Sequence, residues 1–300
     1  MSFKELPIMS DKKKGSVLFY PYISKKSAQN IKKILSTRWI GQGPMVDKFE
    51  NKFQKVFAKN NFALATGSGT DSLHLAYLLA GIKEGDEVIT TVFTCTATNI
   101  PLLYIGAKIK FADIDPRTMN ISIPSVKKLI SKKTKAIVCV HYGGLPCEMD
   151  ELKKLSKKYK IPIIEDAAHA MGAKYKGKTI GSISDFTTFS FQAIKHFTTG
   201  DGGMLTIKNK NLLKKGKRLR WFGIDREGKQ NGTWENDVYE TGYKYQMTDI
   251  AATLGIDSLR EFNMILTHRR KIFQVYLDEL STNKNIFCIN DEDKNKFHSA

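Results

Sequence analysis

Lys195 lies four residues beyond Phe186-Thr187-Thr188-Phe189-Ser190-Phe191, an aromatic and β-branched run that reads as a strand. It is followed by Thr198-Thr199-Gly200-Asp201-Gly202-Gly203, a turn with enough glycine to let the backbone approach a bulky group closely. An amine held partly out of water loses affinity for its proton and can act as a nucleophile near neutral pH, as Schiff-base chemistry requires. A second feature is Phe62-Ala63-Leu64-Ala65-Thr66, a short apolar strand that runs into Gly67-Ser68-Gly69-Thr70-Asp71-Ser72 and then an amphipathic helix over 73–80. Free N–H groups and a positive dipole end meet there, which suits a phosphate. The turn matches neither the P-loop pattern nor the dinucleotide fingerprint. A third is Ile161-Pro162-Ile163-Ile164, a strand ending in Glu165-Asp166-Ala167-Ala168-His169. Singly, each has an ordinary explanation: a surface lysine, a capped helix, a structural ion pair, a core histidine.

Elements that could position these groups recur at regular spacing. Strands are predicted over 88–91, 108–114 and 136–141, and helices over 97–106, 122–131 and 148–159. Before them, helices are expected over 24–36 and from Pro44 to Phe57, where Val46, Phe49, Phe53 and Phe57 form a core-facing stripe. A long periodic helix is expected over 257–280. Apolar strands alternating with helices predict a largely parallel sheet covered on both faces, with ligands gathered at the carboxyl ends of the strands. The phosphate-like turn, Asp166, His169 and Lys195 all fall just beyond predicted strand ends. Pyridoxal 5'-phosphate would use every one of them. Its aldehyde takes Lys195 as an internal aldimine, its phosphate takes a helix N-terminus, and a carboxylate keeps its ring nitrogen protonated. Asp166 suits the last role because Glu165 points to the opposite face of the strand.

These motifs, in this order, resemble the DegT-type sugar aminotransferase family. The resemblance runs from Trp39-Ile40-Gly41-Gln42-Gly43-Pro44 through Gly69-Thr70-Asp71-Ser72-Leu73-His74, Glu165-Asp166-Ala167-Ala168-His169 and the Lys195 segment to Tyr243–Ile250. It implies an α/β, type I aspartate-aminotransferase-like fold, with a mostly parallel sheet flanked by helices. It also implies pyridoxal phosphate on Lys195, Asp166 at the pyridinium nitrogen and His169 near the ring hydroxyl. The phosphate would lie against Gly69, Thr70 and the Ser190 hydroxyl. Two positions depart from the family pattern. Cys95 stands where a ring-stacking aromatic is usual, so that either Cys95 or a displaced Phe93 covers the ring. Lys244 stands where an asparagine commonly reaches the partner subunit's cofactor phosphate. Gly41, Arg220 and Arg226 are candidates for substrate contact.

The implied reaction is transamination of a nucleotide-linked keto sugar, expected to be a 4-keto-6-deoxyhexose, with glutamate as amino donor and a homodimer as the working form. A 3-keto sugar, a small phosphorylated ketone, or sugar 3-dehydration on the same fold are the alternatives. The dehydratases typically carry histidine in place of the lysine, which directs attention to the adjacent His196. By the same resemblance, residues 1–15 are a loose arm, 16–255 a large cofactor-binding domain, and 256–300 the start of a small C-terminal domain that lacks several strands.

Composition agrees with a soluble enzyme. The chain of 300 residues carries 41% hydrophobic and 10% aromatic residues and a net charge of +18. The excess lysines are scattered as pairs and triplets on predicted solvated faces, which does not make a nucleic-acid stripe, although a diphosphate substrate would be attracted. Cys95, Cys139, Cys147 and Cys288 have no metal or disulfide spacing, and no apolar run reaches membrane-spanning length. A reducing cytoplasm and no membrane partner are expected.

Overall fold

A computed structural model describes residues 21–226, 238–289 and 296–299. The arm expected over 1–15 lies outside the described residues. In chain order the elements begin with α1 (Ser27–Leu35), α2 (Pro44–Phe57), β1 (Phe62–Thr66), α3 (Gly69–Leu79), β2 (Glu87–Thr91) and α4 (Thr96–Tyr104). Then come β3 (Lys108–Ala112), α5 (Ile123–Leu129), β4 (Thr134–Val140), α6 (Met149–Tyr159) and β5 (Ile163–Asp166). They continue with β6 (Lys174–Tyr175), β7 (Lys178–Thr179), β8 (Phe186–Ser190), β9 (Gly203–Ile207) and α7 (Lys210–Leu219), and end with α8 (Asp249–Leu280) and β10 (Lys296–Phe297).

Seven strands form one sheet in the order β1-β9-β8-β5-β4-β2-β3. Pairings β2–β3, β2–β4, β4–β5 and β5–β8 are parallel, while β9 runs antiparallel to both β8 and β1. Because β9 reverses between them, β1 and β8 point the same way. The carboxyl ends of β1, β8, β5 and β4 therefore share one edge. That edge is where Gly67–Thr70, the residues after Ser190, and Ala167–His169 emerge.

Alternating side chains build two cores. On one face, Phe49, Phe53 and Phe57 of α2 pack with Phe189, Phe191, Phe197 and Phe262. On the other, Leu64, Val138, Ile164, Phe186 and Leu205 pack under α3 residues Leu75 and Tyr77. Burial of this kind contributes roughly 25 cal/mol per Å² of apolar surface removed from water.

Two helix starts differ from expectation, and further elements add to it. Helix α3 starts at Gly69, not Leu73, because Ser68 in extended backbone caps it by accepting the Asp71 N–H at 3.0 Å. Helix α8 starts at Asp249, eight residues before 257, capped by Thr248 accepting from Ala251 N–H. The expected domain boundary at 255/256 thus falls inside one continuous helix whose first turns are buried against the core. Strand β9 and helix α7 were not anticipated: Gly202-Gly203 reads as loop, yet β9 is fully buried. A side chain at Gly203 would stand 2.2 Å from the Ser68 carbonyl oxygen, so only glycine admits the β1–α3 turn this close. Finally, residues 296–297 pair with β6 in a small three-stranded sheet, folding the carboxyl-terminal stretch back onto the body.

Candidate active site

Two phenylalanines present Lys195. Phe191 and Phe197 stack at 5.1 Å and 10°, and the Thr198 hydroxyl donates to the Phe191 carbonyl at 2.8 Å. The intervening turn, closed by Lys195 N–H to the Gln192 carbonyl, projects from this anchor. Lys195 enters a cavity of about 360 Å³ whose wall also holds Ser68, Gly69, Thr70, Cys95, Asp166, His169 and Ser190. Desolvation holds the amine's pKa below the ordinary lysine value, with the Asp166 charge opposing.

Asp166 closes β5 and is buried. The Thr98 hydroxyl donates to its Oδ2 at 2.7 Å and the Ala168 N–H to its Oδ1 at 3.0 Å. Glu165 faces the other way, as the strand period requires, and accepts from Ser184 N–H, Thr187 Oγ1 and His141 Nε2. His141 Nδ1 receives the Cys147 N–H, which puts a ring proton on Nε2, toward Glu165. His169 borders the cavity with its pKa lowered by desolvation first and by the Lys195 charge second. It therefore meets a ligand as neutral imidazole.

The phosphate-like turn is tightly built. Thr66 Oγ1 donates to the Ser68 carbonyl at 2.8 Å and lies 2.7 Å from Ser72 Oγ, and Gly67 N–H donates to the Tyr245 carbonyl. A Cβ on Gly69 would lie 2.9 Å from Ser190 Cβ and 3.3 Å from its hydroxyl. Backbone and hydroxyl donors thus meet at one end of the cavity, while the Lys195 amine and Asp166 carboxylate line the rest. This donor set fits pyridoxal phosphate. The phosphate end matches the α3 N-terminus with Ser68, Thr70 and Ser190, the aldehyde matches the amine, and the ring nitrogen matches the buried carboxylate.

Other candidates lie elsewhere. Cys95 lines the cavity, whereas Phe93 does not; Phe93 packs on Tyr142 at 4.5 Å, and Tyr142 and Phe189 are the aromatics in the wall. Thr98 and Tyr142 escaped sequence reasoning, although the Thr94-Cys95-Thr96-Ala97-Thr98 hydroxyls were a usable signal. Lys244 is exposed over Trp221 at 5.8 Å and is not in the wall of the Lys195 cavity. Arg220 is buried, with Nη1 donating to Glu50 Oε1 at 2.6 Å and to the Ala65 carbonyl at 2.7 Å, and it lies outside the Lys195 cavity, in the wall of a separate one. Arg226 covers the Trp221 ring at 4.8 Å in a separate cavity of about 410 Å³ that also includes Gln42 and Lys214. Gly41 sits beside that cavity, its carbonyl accepting the Asp249 N–H at 2.7 Å, and lines neither one.

A mostly parallel sheet with a lysine, a carboxylate and a phosphate-shaped turn at its carboxyl edge defines the class of aminotransferases that work through a carbonyl cofactor. Residues 21–300 match the DegT/DnrJ/EryC1/StrS aminotransferase family, and the chain belongs to it. It is 35% identical to the GDP-perosamine synthase of Escherichia coli over 94% of this chain and 75% of that protein. It is 37% identical to the UDP-4-amino-4,6-dideoxy-N-acetyl-beta-L-altrosamine transaminase of Campylobacter jejuni, over 91% of this chain and 72% of that one. Among solved structures, a putative sugar aminotransferase from Streptococcus pneumoniae in its PLP-form superposes with a TM-score of 0.85 at 29% identity, covering 95% of this chain and 76% of that one. Among the described residues no group of three or more metal-ligating side chains occurs and no helix is long and apolar enough to cross a membrane.

Proposed function

We propose that this chain transfers an amino group to a nucleotide-linked keto sugar, a 4-keto-6-deoxyhexose in the favoured case, with glutamate as donor and pyridoxal phosphate as cofactor. One observation carries the reading: Lys195, Asp166 and the Ser68–Thr70 turn with Ser190 surround a single cavity. Bound there, pyridoxal phosphate supplies an electron sink for the carbon that loses its proton. Lys195 would hold the aldehyde end of the cofactor and, when free, would carry a proton at its amine; its depressed pKa leaves a larger neutral fraction for both tasks. Asp166, oriented by Thr98 and Ala168, keeps a proton on the ring nitrogen. Neutral His169 can accept or donate one hydrogen bond at the cavity rim.

The rival dehydratase chemistry would need the histidine rather than the lysine to face the cofactor. His196 is buried with its Nε2 at 2.7 Å from the Ser299 carbonyl and is absent from the wall that holds Asp166 and Ser68. Relatives acting on GDP- and UDP-linked sugars support a nucleotide-sugar acceptor. A homodimer is the expected working form by the family resemblance, with exposed Lys244 available to face a second copy; a sedimentation mass of a single chain for the loaded protein overturns that part.

The deciding test is an absorbance spectrum of the protein with pyridoxal phosphate before and after glutamate, beside Lys195→Ala. The wild type is expected to show a visible band that glutamate bleaches, and the variant to lack the band and lose at least about a hundredfold in rate. A wild-type band that glutamate leaves untouched rejects the donor assignment. Subsequent transfer to a panel of 4-keto and 3-keto nucleotide sugars identifies the acceptor.

A further inference from the structure

Lys195 stands in the wall between two cavities. Ala168, His169, Ile194 and Lys195 line the cofactor-shaped one, and the same four residues line a second, adjoining cavity of about 440 Å³. The second is completed mainly by α8, through Arg269, Ile272, Phe273 and Tyr276. Among the described residues in the walls of the two cavities, Arg269 supplies the sole guanidinium. Its neighbour Arg270 is committed to the His298 carbonyl at 2.5 Å. Arg269, by contrast, has no acidic or hydrogen-bonding partner among the described residues. Its side chain remains accessible along the cavity, yet desolvation holds its pKa below the usual arginine value. It shares the wall of the second cavity with His169, Lys195 and His196, and its charge is felt by both histidines.

A planar, permanently charged fork with no protein acid to satisfy it matches a carboxylate or a phosphate. The position beside Lys195 separates the two. Lys195 must reach the carbon that gives up or receives nitrogen. In an amino acid the carboxylate is one bond of about 1.5 Å from that carbon. In a nucleotide-linked 4-keto sugar the diphosphate is attached at the far side of the ring. We infer that Arg269 receives the α-carboxylate of the amino donor, so that the second cavity is the donor's entrance and the α8 face sets donor selectivity. Neutral His169 and His196 add no competing positive charge. The aliphatic and aromatic side chains of Ile272, Phe273 and Tyr276 border the site with apolar surface, which strengthens a charge pair by thinning the water around it.

This inference rests on the proposed aminotransferase reading, and its test separates the two. Loaded wild type, Arg269→Gln and Arg269→Lys are titrated with glutamate by absorbance. Separately, wild-type protein is labelled with phenylglyoxal, with and without glutarate, a dicarboxylate that has no amine to transfer. Glutarate is expected to slow modification of Arg269, read by peptide mass spectrometry. Arg269→Gln is expected to raise the half-saturating glutamate concentration by about tenfold or more, the loss typical of a charge-assisted pair, with the saturating rate within about twofold. Arg269→Lys should recover part of the loss. Unchanged half-saturation in Arg269→Gln, a shift confined to the keto sugar, or modification indifferent to glutarate overturns the inference. If no variant folds, the labelling of wild type decides alone. If glutamate leaves the wild-type band untouched while glutarate still protects Arg269, the reaction assignment falls and the carboxylate site stands.

Discussion

Thr98 donates to Asp166 from α4 at 2.7 Å, and its own carbonyl accepts the buried Tyr77 hydroxyl at 2.7 Å. Through that pair the carboxylate is oriented by a hydroxyl group rather than by an ion, which leaves its charge available to a ring nitrogen. Thr98→Val keeps the shape and removes the donor. A hydrogen bond to a charged acceptor contributes about 1.5–3 kcal/mol. The glutamate half-reaction should therefore slow by about tenfold, with the cofactor band still forming; an unchanged single-turnover rate would count against the positioning role. Cys95 illustrates a different limit of residue-level reasoning. Its departure from the family pattern was readable, but the tyrosine that lines the wall, Tyr142, stands about fifty residues away in sequence on the short turn after β4.

At the element scale, the second half of the site depends on α2 and β1 being locked to the segment after α7. Glu50 of α2 accepts from Arg220 at 2.6 Å and from the Ala65 N–H at 2.8 Å. One carboxylate thereby joins helix, strand and the start of the next loop, just behind the Gly67–Thr70 turn. Removing one partner of a buried pair leaves an uncompensated charge and costs about 3–5 kcal/mol. Glu50→Gln retains the shape and one acceptor, so a loss of about 3 kcal/mol is expected from urea unfolding, with weaker cofactor affinity as the turn loosens. The double variant Glu50→Gln with Arg220→Met should lose less than the sum of the singles. Additive losses would mean that the pair is not an energetic unit.

For the whole molecule, buried histidines set the acid limb of stability. His196 has its pKa lowered from 6.5 to about 3 by desolvation first, and His74, against the Tyr245 hydroxyl, has its own lowered to about 4 by desolvation. Both are neutral in the folded chain, while the unfolded chain binds their protons below about pH 6.5. Stability is therefore full above that value and falls as pH drops toward about 4 and then about 3. The steepest slope for one such group is about 1.4 kcal/mol per pH unit. Melting temperatures measured from pH 7.5 to 4.5 should decline, and the decline should be shallower in His196→Gln, which keeps a donor for the Ser299 carbonyl. Identical slopes in the two proteins would refute the assignment to His196.

Much of this enzyme could be read directly along its chain, because short-range rules govern what was read. Period-2 and period-3.6 patterning placed β1, α2 and the parallel strands within a residue or two. The two-fold alternation of a strand put Asp166 rather than Glu165 on the ligand edge, and the run from Phe189 to Gly203 identified Lys195. What sequence left undecided is long-range. The antiparallel reversal of β9 depends on a glycine fitting under the Ser68 carbonyl, a contact between segments more than a hundred residues apart. That Arg220 pairs with Glu50 is decided by which helix packs over β1, and a guanidinium reads the same in the sequence whatever stands opposite it. Likewise the place of Arg269 beside Lys195 follows from the docking of α8 and not from its spacing. Local periodicity sets which face a residue occupies; only packing sets what stands opposite it.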